Sequence, residues 1–269
     1  MAQTVLVTGT STGIGRETAK LFQARGWNVI ATMRAPERET ELSRLGNVRV
    51  LRLDVTEEAS IGTAVAEGMS AFGAIDVLVN NAGFGAYGPL EATSLETIRK
   101  QFDTNVVGLL AVTKAVIPVM RRQARGTIVN ISSMGGRVAF PLGSLYHGSK
   151  FAVEGLSEAL AYELAAVGVW VKIVEPGMTR SDFGGRSLVF SADEAVPEYG
   201  PMVAGTMNAL ASQTPAEASD VAATIFEAAT DGADRLRYPS GQDARMFLDM
   251  RRSQDDATFT QSLKRMFNI

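Results

Sequence analysis

The chain has 269 residues, 46% hydrophobic and 20% charged, with a formal net charge of -3; this is enough for one large buried core and leaves neither a nucleic-acid footprint nor a polybasic membrane patch. Cysteine is absent, which removes disulfides, thiolate catalysis and zinc-thiolate centres together and is compatible with a reducing cytosol. The start, "MAQTVLVTGTSTGIG", has no basic n-region and no small-residue cleavage site, so no signal peptide is expected and the cytoplasm is the expected location.

Short Val/Ile/Leu-rich runs alternate with longer segments of helical period. The runs are "TVLVT" (4–8), "NVIAT" (28–32), "VRVLRLD" (48–54), "IDVLVN" (75–80), "TIVNIS" (127–132) and "VWVKIVE" (169–175). They read as strands buried on both faces, and the alternation implies right-handed βαβ units with a parallel sheet between helices.

The first strand runs into "TGTSTGIG" (8–15), which opens the first helix. In that place Gly9 lets the chain turn out of the strand, Gly13 lets the backbone approach a pyrophosphate, and Gly15 lets the helix pack on the sheet. A glycine cluster alone is an ordinary turn, and it is the strand before and the helix after that point to phosphate binding. The second strand ends in "ATMRAPE" with no carboxylate from Ile30 to Pro36. Arg34 therefore sits where a 2'-phosphate would be, with Ser11 and Thr12 able to assist, unless it is an ordinary solvated arginine. Asp54, at the end of the third strand, either accepts from an adenine amino group or caps the helix starting near Thr56. "NNAG" (80–83) ends the fourth strand and reads as a wall of the same crevice, its asparagines satisfying backbone groups there.

Ile98, Phe102, Val106, Leu109 and Thr113 recur at helical spacing, as do Val153, Leu156, Leu160 and Leu164, so each segment is expected to be a long helix with one apolar stripe. The most apolar of these, "NVVGLLAVTKAVIPVM", is interrupted by Lys114 and Pro118 before the run of about 20 apolar residues that a membrane span requires. In "TPAE" (214–217), Thr214 is the expected N-cap of a later helix, with Pro215 at its first position and Glu217 completing a capping box. The segment 184–213 has four glycines and two prolines without clear period, which suits a lid or binding loop.

Tyr146 and Lys150 lie four apart on a helix, on one face. A phenol with a reference pKa of about 10 needs about 4 kcal/mol of differential stabilisation to ionise near neutrality; a fixed ammonium and an oxidised nicotinamide can supply it. Ser133, just past the strand "TIVNIS", could join Tyr146 in clamping a carbonyl oxygen. Either feature alone is commonplace: Tyr-x-x-x-Lys arises by chance, and serine is a usual turn residue. His147, the only histidine, points about 100° away around the helix and is read as a packing or surface residue. Without a second histidine, a cysteine or a G-x-S-x-G elbow, a hydrolase built on Ser133 or a His-ligated metal has little support; no metal site is expected.

Taken together, "TGTSTGIG", "NNAG", "NISS", "YHGSK" and "EPGMTRS" resemble the short-chain dehydrogenase/reductase family in order and spacing over nearly the whole chain, and the glycine spacing resembles its single-domain members. The resemblance implies an α/β, Rossmann-type doubly wound sandwich of about seven mostly parallel strands flanked by helices on both faces, in one domain spanning 1–269 with a substrate lid at about 184–213. It implies a catalytic tetrad of Asn105, Ser133, Tyr146 and Lys150: Tyr146 as acid/base, Ser133 orienting substrate, Lys150 binding the nicotinamide ribose, and Asn105 holding a water on a proton relay. Without the family, Asn105 would read as a polar residue in a helix interior. The implied cofactor surface comprises Gly9, Ser11, Thr12, Gly13, Ile14, Gly15, Arg34, Asp54, Val55, Asn81, Ala82 and Gly83, together with Tyr146, Lys150 and the loop residues Pro176, Gly177, Thr179 and Ser181. Ser181 stands where the family more usually has threonine. The tail "RYPSGQDARMFLDM" resembles steroid- and retinol-type dehydrogenases, which together with Arg34 implies NADP(H) rather than NAD(H) and a lipophilic carbonyl or alcohol substrate. A homodimer or homotetramer, paired through helices starting near Ser94 and Ser144, is expected by the same resemblance. The reading of another class is a dinucleotide-binding sensor or scaffold without chemistry.

Overall fold

The computed structural model describes residues 2–180, 188–192 and 196–269. Seven parallel strands form one sheet: β1 (Thr4–Thr8), β2 (Asn28–Met33), β3 (Val48–Arg52), β4 (Val77–Asn80), β6 (Gly126–Ile131), β7 (Val169–Pro176) and β11 (Arg237–Ser240). Their order across the sheet is β11-β7-β6-β4-β1-β2-β3, with Val5 level with Val29 on one side and Val77 on the other. The order reverses between β1 and β4, the place where a doubly wound sheet opens a crevice at its carboxyl edge.

The two-residue period of the strands divides the core into two layers. Val5, Val7, Val29, Val77, Val79 and Val129 face a cluster closed by Ala19 and Phe22 of α1 (Gly13–Ala24) and by Val221 and Ile225 of α7 (Ala218–Thr230). Leu6, Ile30, Leu78 and Ile128 face the opposite cluster, closed by α2 (Glu58–Phe72), α4 (Leu109–Gln123) and α5 (Ser144–Ala165). A third cluster lies at the carboxyl edge, where Met134 and Val138 meet α8 (Gln242–Ser253) and α9 (Asp256–Phe267).

Four expectations need correction. The helix from Leu95 does not keep one apolar stripe: α3 (Leu95–Phe102) passes into α4 through a π-helical segment, Asp103–Gly108. The wider π turn rotates the buried face. Gln101 and Asn105 go inside, while Ile98, Phe102 and Val106 are only half-buried. The helix also continues through Pro118, and Leu95–Gln123 as a whole is long and apolar enough to cross a membrane; here Val112, Val116, Val119 and Met120 pack in the second core cluster. "TPAE" is not the start of α7. Its Ala216 and Glu217 form a short strand, β10 (Ala216–Glu217), beside β8 (Thr179–Arg180), and the N-cap is Glu217 with a capping box to Asp220. The 184–213 segment is not aperiodic throughout, because α6 (Gly200–Ala211) lies within it. The seventh strand of the sheet, β11, comes from the tail, with Pro239 tolerated because the strand is at the sheet's edge.

Candidate active site

The glycine-rich turn is locked to the end of β4. Thr8 Oγ1 accepts from the backbone N–H of Asn81 and of Ala82, both at 3.0 Å, while Asn81 Nδ2 donates to the carbonyls of Thr8 (2.8 Å) and Gly9 (3.1 Å). Gly9 adopts φ +73, the left-handed region that favours glycine, and turns the chain over Ala82. A Cβ at Gly15 would run into the Gly9 carbonyl oxygen. Gly15→Ala is therefore expected to lower the melting temperature by about 5 °C or more, checked by calorimetry. The first turn of α1 carries no acidic residue, so its positive end is open to an anion. Ser11, Thr12 and Gly13 surround that end, and Ile14 packs sideways into the first core cluster.

Arg34 follows β2 and is exposed. Burial raises the Asp54 carboxyl, but hydrogen bonds from Thr56 N (3.0 Å) and Thr56 Oγ1 (2.7 Å) to Asp54 Oδ1, with the charges of Arg34 and Arg52, together hold it below the usual range. Asp54 thus closes a turn ahead of α2, whose own N-cap is Glu57. Val55 is buried against Gly108 of the π segment. Arg34, Asp54 and the glycine turn line one side of the crevice.

The tetrad residues come together on the other side. The Tyr146 hydroxyl is hydrogen-bonded to Ser133, and the Lys150 ammonium lies 5.8 Å from the centroid of the Tyr146 ring. Ser133 Oγ accepts from Gly135 N (3.0 Å) and donates to Pro176 O (3.4 Å), which aims it from the end of β6. Lys150 Nζ donates to Ile131 O at 2.8 Å. Burial pulls Lys150 down to about 8, opposed by the charge of Glu154. Burial also raises the Tyr146 phenol, with the Ser133 hydrogen bond acting the other way. The lowering of the phenol expected from Lys150 is therefore not produced by the protein groups alone, where burial outweighs the Ser133 hydrogen bond. Asn105 clamps Phe84 at both backbone groups, accepting from its N–H at 3.0 Å and donating to its carbonyl at 2.8 Å; it also donates to Ser149 Oγ at 3.2 Å.

Sequence reasoning missed two residues at this site. Asp243, in the first turn of α8, accepts from Met178 N at 2.7 Å and fills the space beside Gly177, whose N–H bonds Ser240 O at 2.8 Å. It holds the loop that carries Pro176, Gly177 and Thr179. Its only signal was an aspartate two residues after Ser-Gly in the tail, a pattern of any helix start. Tyr87, on the short strand β5 (Gly85–Tyr87), stacks on Tyr146 with centroids 5.3 Å apart, and β5 pairs with β9 (Leu188–Phe190) from the 184–213 segment. Asp243→Ala is expected to weaken dinucleotide binding about 5- to 10-fold by freeing this loop, measured by nicotinamide fluorescence. His147 is a packing residue: it is buried, Nδ1 lies 2.9 Å from Gly135 O, and burial lowers its pKa. Ser181 lies outside the described residues.

The family model described as "short chain dehydrogenase" matches residues 3–188. An uncharacterized oxidoreductase of Schizosaccharomyces pombe is 43% identical over 241 residues, covering 88% of this chain and 100% of that protein. Retinol dehydrogenase 8 of Homo sapiens is 40% identical over 196 residues, covering 69% of this chain and 62% of that protein. Among solved structures, a short-chain dehydrogenase from Streptomyces avermitilis superposes with TM-score 0.84 at 36% identity, covering 97% of this chain and 96% of that one. ElxO with NADP bound gives 0.74 at 29%, covering 89% and 98%, and a Burkholderia phymatum dehydrogenase in complex with NAD gives 0.80 at 25%, covering 97% and 95%.

Proposed function

The chain belongs to the short-chain dehydrogenase family of oxidoreductases, and on that premise we propose that it interconverts a ketone or aldehyde and an alcohol with NADP(H), Tyr146 acting as acid/base on a lipophilic substrate. The observation that carries this reading is the triangle at the carboxyl edge: a Tyr146 hydroxyl bonded to Ser133, with the Lys150 ammonium beside the same ring. Reduced nicotinamide, when bound in this crevice, would supply the hydride. Ser133 and Tyr146 hold the substrate oxygen, and Tyr146 delivers its phenolic proton to that oxygen as negative charge develops there. Lys150 stabilises the phenolate left behind.

The crevice fits a dinucleotide: the first turn of α1 has no acid, Gly15 lets that helix close on the turn, and Arg34 stands exposed at the end of β2 without a carboxylate on that strand end. Gly9, Gly13 and the start of α1 would hold the pyrophosphate, Asp54 and Val55 the adenine side, Asn81, Ala82 and Gly83 the ribose wall, and Pro176, Gly177 and Thr179 the carboxamide. Arg34 favours a 2'-phosphate. The similar structures include both an NADP and an NAD complex, so the preference rests on Arg34.

A lipophilic substrate is supported by the third core cluster, which puts Met134, Phe140 and Met178 beside the catalytic edge, and by the retinol dehydrogenase relative. The 184–213 segment would close over it, anchored through β9 on β5 and through α6 on α9, where Gly205 approaches Phe267 O. Exposed Leu95, Val107, Phe151 and Tyr162 suit pairing of two copies through α3 to α5. The test is purified protein with NADPH, or with NADH, against a panel of hydrophobic ketones. Oxidation of NADPH in preference to NADH supports the reading, and cofactor binding without turnover across the panel removes it.

A further inference from the structure

The ridge of α5 that carries Tyr146 and Lys150 continues one turn further to Glu154. Glu154 is buried, as is Lys150. Glu154 meets Glu175, the residue before Pro176 at the end of β7, which is 0% exposed. Two guanidiniums reach this pair: Arg237 Nε lies 2.9 Å from Glu154 Oε2 and 4.0 Å from Glu175 Oε1, and Arg137 Nη1 lies 3.7 Å from Glu175 Oε1. Even so, Glu154 Oε1 and both Glu175 carboxyl oxygens lack a close hydrogen bond, their nearest donors being Ser132 beside Glu154 and Arg137 beside Glu175. Two buried carboxylates so short of close donors resist carrying full charge together. Burial, with Glu154's charge, accordingly pushes Glu175 up to about 7. An open cavity of about 520 Å³, lined by Arg137, Phe151, Glu154, Arg237 and Arg251, gives Glu154 a way to solvent.

We propose that Glu154 is a positioning residue of this active site, its carboxylate the counter-charge that keeps Lys150 an ammonium beside Tyr146, while Glu175 in the same pocket carries the proton when the two acids cannot both ionise. The inference rests on the reading of Lys150 as the group that serves Tyr146. The charged groups around the pair are Lys150 and Glu158 on α5, Arg137 after β6, Arg237 on β11 and Arg251 on α8; Glu158 is engaged by Arg237 Nη2 at 2.8 Å. Glu154 is the charge that opposes desolvation of Lys150. Removing it therefore lowers the pH at which the ammonium is lost. Removing Glu175 frees Glu154 to ionise and leaves that pH unchanged or higher.

An NMR titration of lysine side-chain 15N signals in the full chain reads this directly, with the Lys150 signal assigned by its loss in Lys150→Arg. In the unaltered chain Lys150 is expected to lose its proton near pH 8; in Glu154→Gln about one pH unit lower; and in Glu154→Asp, which keeps the charge, close to the original value. The basic limb of NADPH oxidation with 2-octanone is expected to move in the same order. A Lys150 titration unmoved in Glu154→Gln overturns the inference. Where Glu154→Gln is too unstable, Glu175→Gln serves, and a fall in the Lys150 value there overturns it equally. A Lys150 shift in a protein that oxidises no NADPH with any ketone sustains the counter-charge and removes only the functional reading.

Discussion

Tyr146→Phe is expected to abolish carbonyl reduction, lowering kcat by about 10²- to 10⁴-fold, the usual contribution of a positioned general acid, while NADPH binds within about two-fold of its original affinity. The expectation follows from how little else changes. The ring stays, so the stack on Tyr87 at 5.3 Å and the face offered to Lys150 are retained. Only the hydroxyl that bonds Ser133 is lost. His147 does not stand ready to replace it, because it is turned away to Gly135 O and burial lowers its pKa. Steady-state kinetics beside a fluorescence titration of NADPH separates the two quantities. Turnover within ten-fold of the original would assign the proton to another group.

Arg34→Glu is expected to reverse the cofactor preference. A guanidinium on a 2'-phosphate is a charge-assisted interaction of about 1.5–3 kcal/mol, so its replacement by a carboxylate should weaken NADPH about 10- to 100-fold or more, with like-charge repulsion added. A carboxylate at the same strand end can accept from a ribose 2'-hydroxyl, so NADH should bind as well or better. Arg34 is exposed, and the ion pairs nearby belong to Arg16 with Glu39 and Glu41, so the exchange should leave the fold intact. Dissociation constants for both cofactors check it. An NADPH to NADH ratio unchanged by the substitution would move the discrimination elsewhere.

The six strands were legible because each is a run rich in branched apolar residues between helical segments, and all six form, in parallel, within two residues of the expected bounds, although β3, at the sheet's edge, is not buried on both faces and exposes Arg49 and Arg52. β11 was not legible: four residues, "RYPS", with an arginine and a proline, carry no strand period, and only the open edge of β7 makes them one. The π segment at Asp103–Gly108 was illegible for a different reason. Counting at three and four puts Ile98, Phe102 and Val106 inside, yet Gln101 donates to Phe84 O and accepts from Ala86 N, and Asn105 bonds both backbone groups of Phe84, which draws the polar residues in. Tertiary contacts chose the face there. Tyr146, Lys150 and Ser133 could be found from spacing and strand ends, and they meet in space. Asp243 and Tyr87 could not, because each acts through a contact with a distant segment that no local pattern encodes.

Tyr146 is expected to exchange its proton near neutrality once a positive nicotinamide joins Lys150, although burial alone raises the phenol. Ultraviolet difference absorbance of tyrosinate, followed against pH with saturating NADP⁺ in the unaltered chain and in Tyr146→Phe, tests it without a substrate. One phenolate appearing well below pH 10 in the first and missing from the second is the expected result; no tyrosine ionising below that pH in either would contradict it.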